Sequence, residues 1–318
     1  MTVLWLMQRS LVARRIIRWL GLTGLTLALA ACSMLRLGYN QGPELVFWWL
    51  DGYVDITSVQ APRTREALRQ WFEWHRGGEL PAYADLLAQA RQEVLLPAQP
   101  QQVCRWMDTL QQRGDAAVAQ ALPAAGQLVL ALSPQQVDHL AQRFAKANDE
   151  FRDDFMQPDP ARRHREAVKR TVGRVEMLYG RLESGQVEQL SRWIAASPFD
   201  PEVWYQERLL RQQALLDALR SLQDVAAAQR TPERASKLLE ALYANATQSP
   251  RAAYRDYQQR LREFNCDIAA RVHNLTTPAQ RQRAADRLRG WEDDLRVLAA
   301  EAAVPAPGAA AAQPAGRR

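Results

Sequence analysis

An all-α fold, a multi-helix bundle or helical array of about ten helices, is what this 318-residue chain predicts. Three observations carry that expectation. Only 15 glycines interrupt long Leu/Ala/Gln/Arg/Glu stretches, the residue types with the best intrinsic helix propensity. No sustained period-2 alternation is present, and no Asn-Gly or Asp-Gly lies between two alternating runs as a hairpin turn would. Capping residues stand directly before proline at Ser133-Pro134, Asp159-Pro160, Asp200-Pro201, Thr231-Pro232, Ser249-Pro250 and Thr277-Pro278. Proline at the first helical position has no orphan N–H, and the preceding side-chain oxygen caps the next donors.

The chain opens on a leader, residues 1–31. Arg9, Arg14, Arg15 and Arg18 form a basic region without acids, and Trp19 to Ala31 is a 13-residue apolar run. That run is short of the roughly 20 residues a spanning helix needs, and basic-then-apolar order is that of a secretory signal. It ends Leu29-Ala30-Ala31-Cys32, which resembles the lipobox of bacterial lipoprotein signal peptides. The resemblance implies cleavage before Cys32, multiple acylation of that cysteine, and a mature chain hanging from a membrane. Ser33 after the cysteine looks like an outer-membrane signal of a Gram-negative cell, which places the body at the periplasmic face. The alternative is an uncleaved anchor helix with Cys32 an ordinary buried thiol.

Residues 32–61 follow as a lipidated, aromatic strap. Phe47, Trp48, Trp49, Leu50 and Tyr53 cluster about 15 residues from the lipid site. These rings either pack on the bundle or, led by Phe47, Trp48, Trp49 and Tyr53, contact a membrane interface or a partner. Asp51 and Asp55 lie four apart, a spacing that permits paired-carboxylate chemistry, although capping and turn roles fit them better.

Residues 62–303 carry the helical periplasmic domain. The capping signals and apolar periodicity place helices over 62–76, 80–94, 99–121, 134–156, 160–183, 186–196, 201–229, 232–247, 250–273 and 278–301. Ser133-Pro134-Gln135-Gln136 and Thr277-Pro278-Ala279-Gln280 add Gln three residues on, completing a capping box. Val168, Val172, Val175, Leu178, Tyr179 and Leu182 form one apolar stripe. Val203, Trp204, Leu209, Leu215, Leu216, Leu219 and Leu222 form another. Residues 304–318 are Ala/Pro/Gly-rich without an apolar face and read as a disordered tail.

Composition narrows the function classes. The leader holds four of the 41 Lys+Arg and none of the 35 Asp+Glu, leaving 37 basic against 35 acidic residues. A nearly balanced body has no electrostatic reason to bind nucleic acid. Cys104 and Cys266 remain after the anchor; an oxidising periplasm permits a disulfide, and two separate buried thiols are the alternative. No third cysteine or paired-histidine spacing accompanies them, so no metal site and no cofactor is expected. G-x-S-x-G, H-E-x-x-H, G-x-x-x-x-G-K-[ST] and C-x-x-C are all absent. His75, His139, His164 and His273 fall on separate helices, as surface or half-buried residues. His75, Arg76 and Glu79 read as a turn-fixing ion pair where one helix ends and the next begins. Arg162-Arg163-His164-Arg165 reads as a solvated basic face. An enzyme is not expected.

Leu35 to Gln41 (LRLGYNQ), Trp48 to Tyr53 (WWLDGY), His75 to Tyr83 (HRGGELPAY) and Tyr179 to Leu182 (YGRL) resemble a family of uncharacterised bacterial lipoproteins with an all-helical body. The resemblance implies architecture and location over essentially the whole mature chain, and no activity. Leu132-Ser133-Pro134-Gln135-Gln136 and Thr276-Thr277-Pro278-Ala279-Gln280-Arg281 are similar to the L-T-x-x-Q motifs of small helical periplasmic stress chaperones, although Ser/Thr-Pro-x-Gln is also simply a good helix start. Two functions follow as expectations. One is an adaptor that binds an envelope protein. The other is a holdase for unfolded envelope proteins.

Overall fold

The computed structural model describes residues 34–226 and 229–302. The leader with Cys32, and the tail at 304–318, therefore lie outside the described residues. Every regular element within them is helical. In chain order these are α1 (Gly42–Val54), α2 (Ala61–Trp74), a π-helical turn (His75–Glu79), α3 (Leu80–Glu93), α4 (Pro100–Leu130) and α5 (Pro134–Phe155). They continue with α6 (Pro160–Tyr179), α7 (Ser184–Ala195), α8 (Pro201–Asp224), α9 (Pro232–Thr247), α10 (Ala252–Leu275) and α11 (Pro278–Ala302). Residues 34–40 are helical as well. No single helix among the described residues is long and apolar enough to cross a membrane.

The expected helices form, with informative shifts. The strap is itself helical over residues 34–40 and Gly42–Val54. Its Asp55 leaves α1 at φ 52° and donates its N–H to the Asp51 carbonyl, 2.8 Å away. α2 and α3 run on through the π turn with no break at Gly77-Gly78. α4 continues to Leu130 across Pro123, nine residues beyond its expected end at 121. α6 stops at Tyr179, because Gly180 takes φ +75°. α10 starts at Ala252 rather than 250, since Ser249 caps the Arg251 N–H (3.3 Å) in a turn ahead of the helix. Elsewhere the caps stand where the dipeptides put them. Asp159 receives the N–H groups of Ala161 and Arg162, Asp200 those of Glu202 and Val203, and Thr231 that of Arg234.

Three apolar clusters hold the helices. The first gathers Phe47, Val54, Ile56, Leu132, Val137, Leu140, Leu216 and Leu219, where α1, α5 and α8 meet. The second joins Val94 and Tyr179 to Ala284, Ala285 and Leu288 of α11. The third packs Leu182 and Leu190 on Val272. Small residues let helices approach closely at two seams. Ala84, Ala284 and Ala285 are all but fully buried where α11 lies along α3. Gly126 of α4 sits so near the start of α9 that a Cβ there would meet the Pro232 carbonyl at 3.0 Å. Cys104 of α4 and Cys266 of α10 are joined by a disulfide, their Cα atoms 5.4 Å apart and 162 residues distant in sequence.

Candidate functional site

Four glutamines, three of them three residues after a helix N-cap and Gln60 three after Thr57 in the turn ahead of α2, form two reciprocal clasps. In the first, Gln136 Oε1 accepts the Ser133 N–H (3.0 Å), while its Nε2 donates to the carbonyls of Asp55 (2.8 Å) and Val54 (3.0 Å). Gln60 Oε1 accepts the Thr57 N–H (2.9 Å), and its Nε2 donates to the Ala131 carbonyl (2.7 Å). The two amides also face each other, Nε2 to Oε1, at 2.9 and 3.1 Å. The second clasp repeats this wiring. Gln280 Oε1 accepts from Thr277 N–H (2.9 Å) and its Nε2 donates to the Arg181 carbonyl (2.9 Å). Gln186 Oε1 accepts from Glu183 N–H (2.9 Å), its Nε2 donates to the Leu275 carbonyl (2.9 Å), and the amides pair at 2.8 and 2.9 Å.

The registers agree, although the bond to the Val54 carbonyl has no counterpart in the second clasp. Ile56-x-x-x-Gln60 corresponds to Leu182-x-x-x-Gln186, and Leu132-x-x-x-Gln136 to Thr276-x-x-x-Gln280. The flanking helices correspond too. The helix before the first glutamine packs on the helix after the second in both cases, α1 on α5 and α6 on α11. The body thus contains one clasped helical unit twice, and the disulfide joins α4 to α10, the same helix of each unit. Each amide satisfies backbone groups that chain reversal leaves without helical partners.

The LRLGYNQ and HRGGELPAY stretches meet in a second cluster. Tyr39 Oη lies 2.9 Å from His75 Nδ1, His75 stacks on Trp71 with ring centroids 4.9 Å apart, and Tyr39 meets Phe72 edge-on. Arg76 reaches Glu301 (2.9 Å) and Asn40 (2.5 Å), and the buried Glu79 faces Arg113 at 3.5 Å. The expected local ion pair is therefore replaced by links to α11 and α4, because the π turn swings Arg76 and Glu79 to different neighbours. Burial pushes the Tyr39 hydroxyl up to about 12 and the His75 imidazole down, the Glu79 charge opposing the latter. The rings pack against one another, so this arrangement positions helices.

The remaining candidates are dispersed. Phe47 corrects the expectation of a contact residue: at 5 % exposure it belongs to the first core, under the Arg65 guanidinium 3.6 Å from its ring. Tyr53 is half-buried against Trp49 and Phe144. Trp48 and Trp49 stay 62 % and 60 % exposed. Asp51 accepts the Ile56 N–H (2.8 Å), a turn-closing role. His273 is buried rather than half-buried, donating from Nε2 to the Leu96 carbonyl (2.7 Å) and accepting the Tyr179 hydroxyl at Nδ1 (2.8 Å). His139 approaches the Gly52 carbonyl and His164 the Ser191 hydroxyl. In the basic run, Arg163 is engaged with the Gln157 and Pro158 carbonyls and Arg165 with Asp159, so only part of it is a solvated face. Among the described residues, no group of three His, Cys, Asp or Glu side chains could hold a metal ion.

One open cleft of about 410 Å³ lies between α5, α8 and α9, lined by Phe144, Leu210, Leu215, Leu239, Leu242 and Ala246. Its rim is held by Glu207, which is 3 % exposed and receives Arg251 (2.7 Å) and Arg211 (3.1 Å). Burial alone would raise the Glu207 pKa, but the bonds from Arg251 and Ser249 and the charges of Arg211 and Arg251 win and hold it low. The cleft is apolar inside and cationic at its edge, and it carries no nucleophile–base pair.

Residues 52–226, more than half of the chain, match a family of unknown function (DUF6279). The chain belongs to that family. The DUF6279 match takes in Gln60, Gln136 and Gln186 and the HRGGELPAY and YGRL stretches. LRLGYNQ, Trp48, Trp49 and Gln280 lie outside it, so it covers less than residues 32–318. No curated protein and no solved structure gives a match.

Gln60 and Gln186 escaped the sequence reading. Their signal was there: an apolar residue, a capping position, and glutamine three further on. Neither Thr57 nor Glu183 precedes a proline, the mark that exposed Ser133 and Thr277.

Proposed function

We propose that the chain is an outer-membrane lipoprotein, tethered through acylated Cys32 at the periplasmic face, whose helical body is a non-enzymatic module that binds other envelope proteins. The open apolar cleft between α5, α8 and α9 carries this reading. Leu210 stands 49 % exposed at its wall, an arrangement suited to an apolar polypeptide segment and not to chemistry. The Arg211 and Arg251 rim favours acidic flanks on that segment.

A holdase is the second reading, and the doubled clasp favours it. The likeness to the chaperone L-T-x-x-Q pattern now extends to four sites in two equivalent pairs. A photoreactive residue at Leu210 in the full chain tests the module in cells. A discrete adduct with one envelope protein is expected of an adaptor. Adducts with many proteins, together with suppressed aggregation of reduced, unrelated clients, are expected of a holdase. Absence of both adducts and suppression, from a folded sample, overturns the binding role.

A further inference from the structure

Residues 34–54 form a nearly continuous helical path, Gln41 bonding back to the Leu37 carbonyl and Leu45 to that of Gln41. Along it Met34 (71 %), Leu37 (60 %), Leu45 (50 %), Trp48 (62 %) and Trp49 (60 %) are exposed at intervals of three, four or eight residues. Such spacing places them on one face. The opposite face is committed, with Phe47 and Val54 in the core. The two ionised side chains of residues 34–50 are turned to protein partners, Arg36 to Asp294 (3.3 Å) and Glu44 to Arg65 (3.2 Å). The exposed face is thus uncharged and largely apolar, with Gln41 its exposed polar side chain, and ends in two tryptophans.

Its position identifies the occupant. Only Ser33 separates Met34 from Cys32, and two residues span at most about 7 Å. Acyl chains on Cys32 therefore bring the start of this face to the bilayer surface. We propose that the exposed face of residues 34–49 lies in the headgroup–acyl boundary of the same membrane, a reading that rests on the Cys32 tether. Tryptophan favours that depth, and an apolar helical face in the interface plane gains from each side chain buried there. The tether then becomes a rigid mount: α1 lies on the bilayer, and its core face fixes how the body is held above it.

The test uses the full acylated chain in phosphatidylethanolamine–phosphatidylglycerol vesicles whose acyl chains are brominated near the carbonyl. Brominated lipid quenches the tryptophan emission of the wild type, and most of that quenching is lost in Trp48→Phe/Trp49→Phe with the helical circular dichroism unchanged. Equal quenching of both proteins, with the Cys32 peptide carrying its acyl mass, overturns the membrane face and leaves the tether standing. A Cys32 peptide without acyl mass overturns the tether and this inference with it. Interchain crosslinking of a Leu45→Cys variant in vesicles, without quenching of the parent, assigns the face to a second copy and overturns the inference as well.

Discussion

The two clasps share their wiring and differ in their surroundings. Gln60 is only half-buried, and its bond to the Ala131 carbonyl lies at the surface. Gln186 and Gln280 are 6 % and 3 % exposed, with the Tyr179–His273 pair close by. Local spacing sets which atoms meet; burial sets what the meeting is worth. Water can replace a partner lost at Gln60 far more readily than at Gln186, Gln280 or the equally buried Gln136 (5 % exposed), where an unsatisfied carbonyl keeps its full desolvation cost.

Breaking the disulfide is the strongest test of whether the units depend on each other. It removes a closure of 162 residues, and Cys104→Ser/Cys266→Ser should lower stability by about 4–5 kcal/mol on the chain-entropy view. Denaturant melting measures the loss. Separate hydrogen-exchange transitions for the two clasps would show that the bridge couples units otherwise able to open alone.

The clasps themselves come next. Gln280→Leu leaves the Arg181 carbonyl and the Thr277 N–H without their partner and should cost about 2–3 kcal/mol, near the upper end for a buried unsatisfied group. Gln60→Leu should cost about 1 kcal/mol, because its exposed partners turn to water. Equal losses in urea melts would break the distinction drawn here.

Acid sharpens the comparison further. His273 is held below its ordinary value first by burial and also by the Arg281 charge, against the hydrogen bond to Leu96. Burial lowers His75 as well, but Glu79 opposes it. A histidine kept neutral in the folded state takes up its proton more readily when unfolded. Its stabilising effect is therefore complete above about pH 6.5 and is lost as pH falls below that value. Melts between about pH 5 and 7, above the carboxylate range, should show the decline, and His273→Gln should flatten it more than His75→Gln. The smallest effect belongs to the outer face of α1. Trp48→Ser and Trp49→Ser should change the stability of the membrane-free protein by no more than about 0.5 kcal/mol. A larger loss in thermal melts would mean that these rings pack in the body after all.

Much of this fold was legible because helix starts are local events. Ser133, Asp159, Asp200, Thr231 and Thr277 cap the helices their dipeptides announced. What depended on distant partners was not legible. α4 persists past Pro123 because it is sandwiched by α9 and α10. Phe47 and Trp48 are neighbours in sequence, yet one is core and the other surface, a sorting that required knowing where α5 and α8 lie. The candidate site was half-readable for the same reason. Two glutamines were visible as caps, but nothing local said that each would reach a glutamine 76 or 94 residues away.

The seam between α3 and α11 also sets an order of events during synthesis. Asp85 and its partner Arg296 are 211 residues apart, and Leu80 and Ala84 lie on a seam that α11 covers. A chain made N-terminus first thus carries one wall of its core uncovered until α11 follows. Completion of α11, rather than arrival of any earlier segment, is the step that closes this seam.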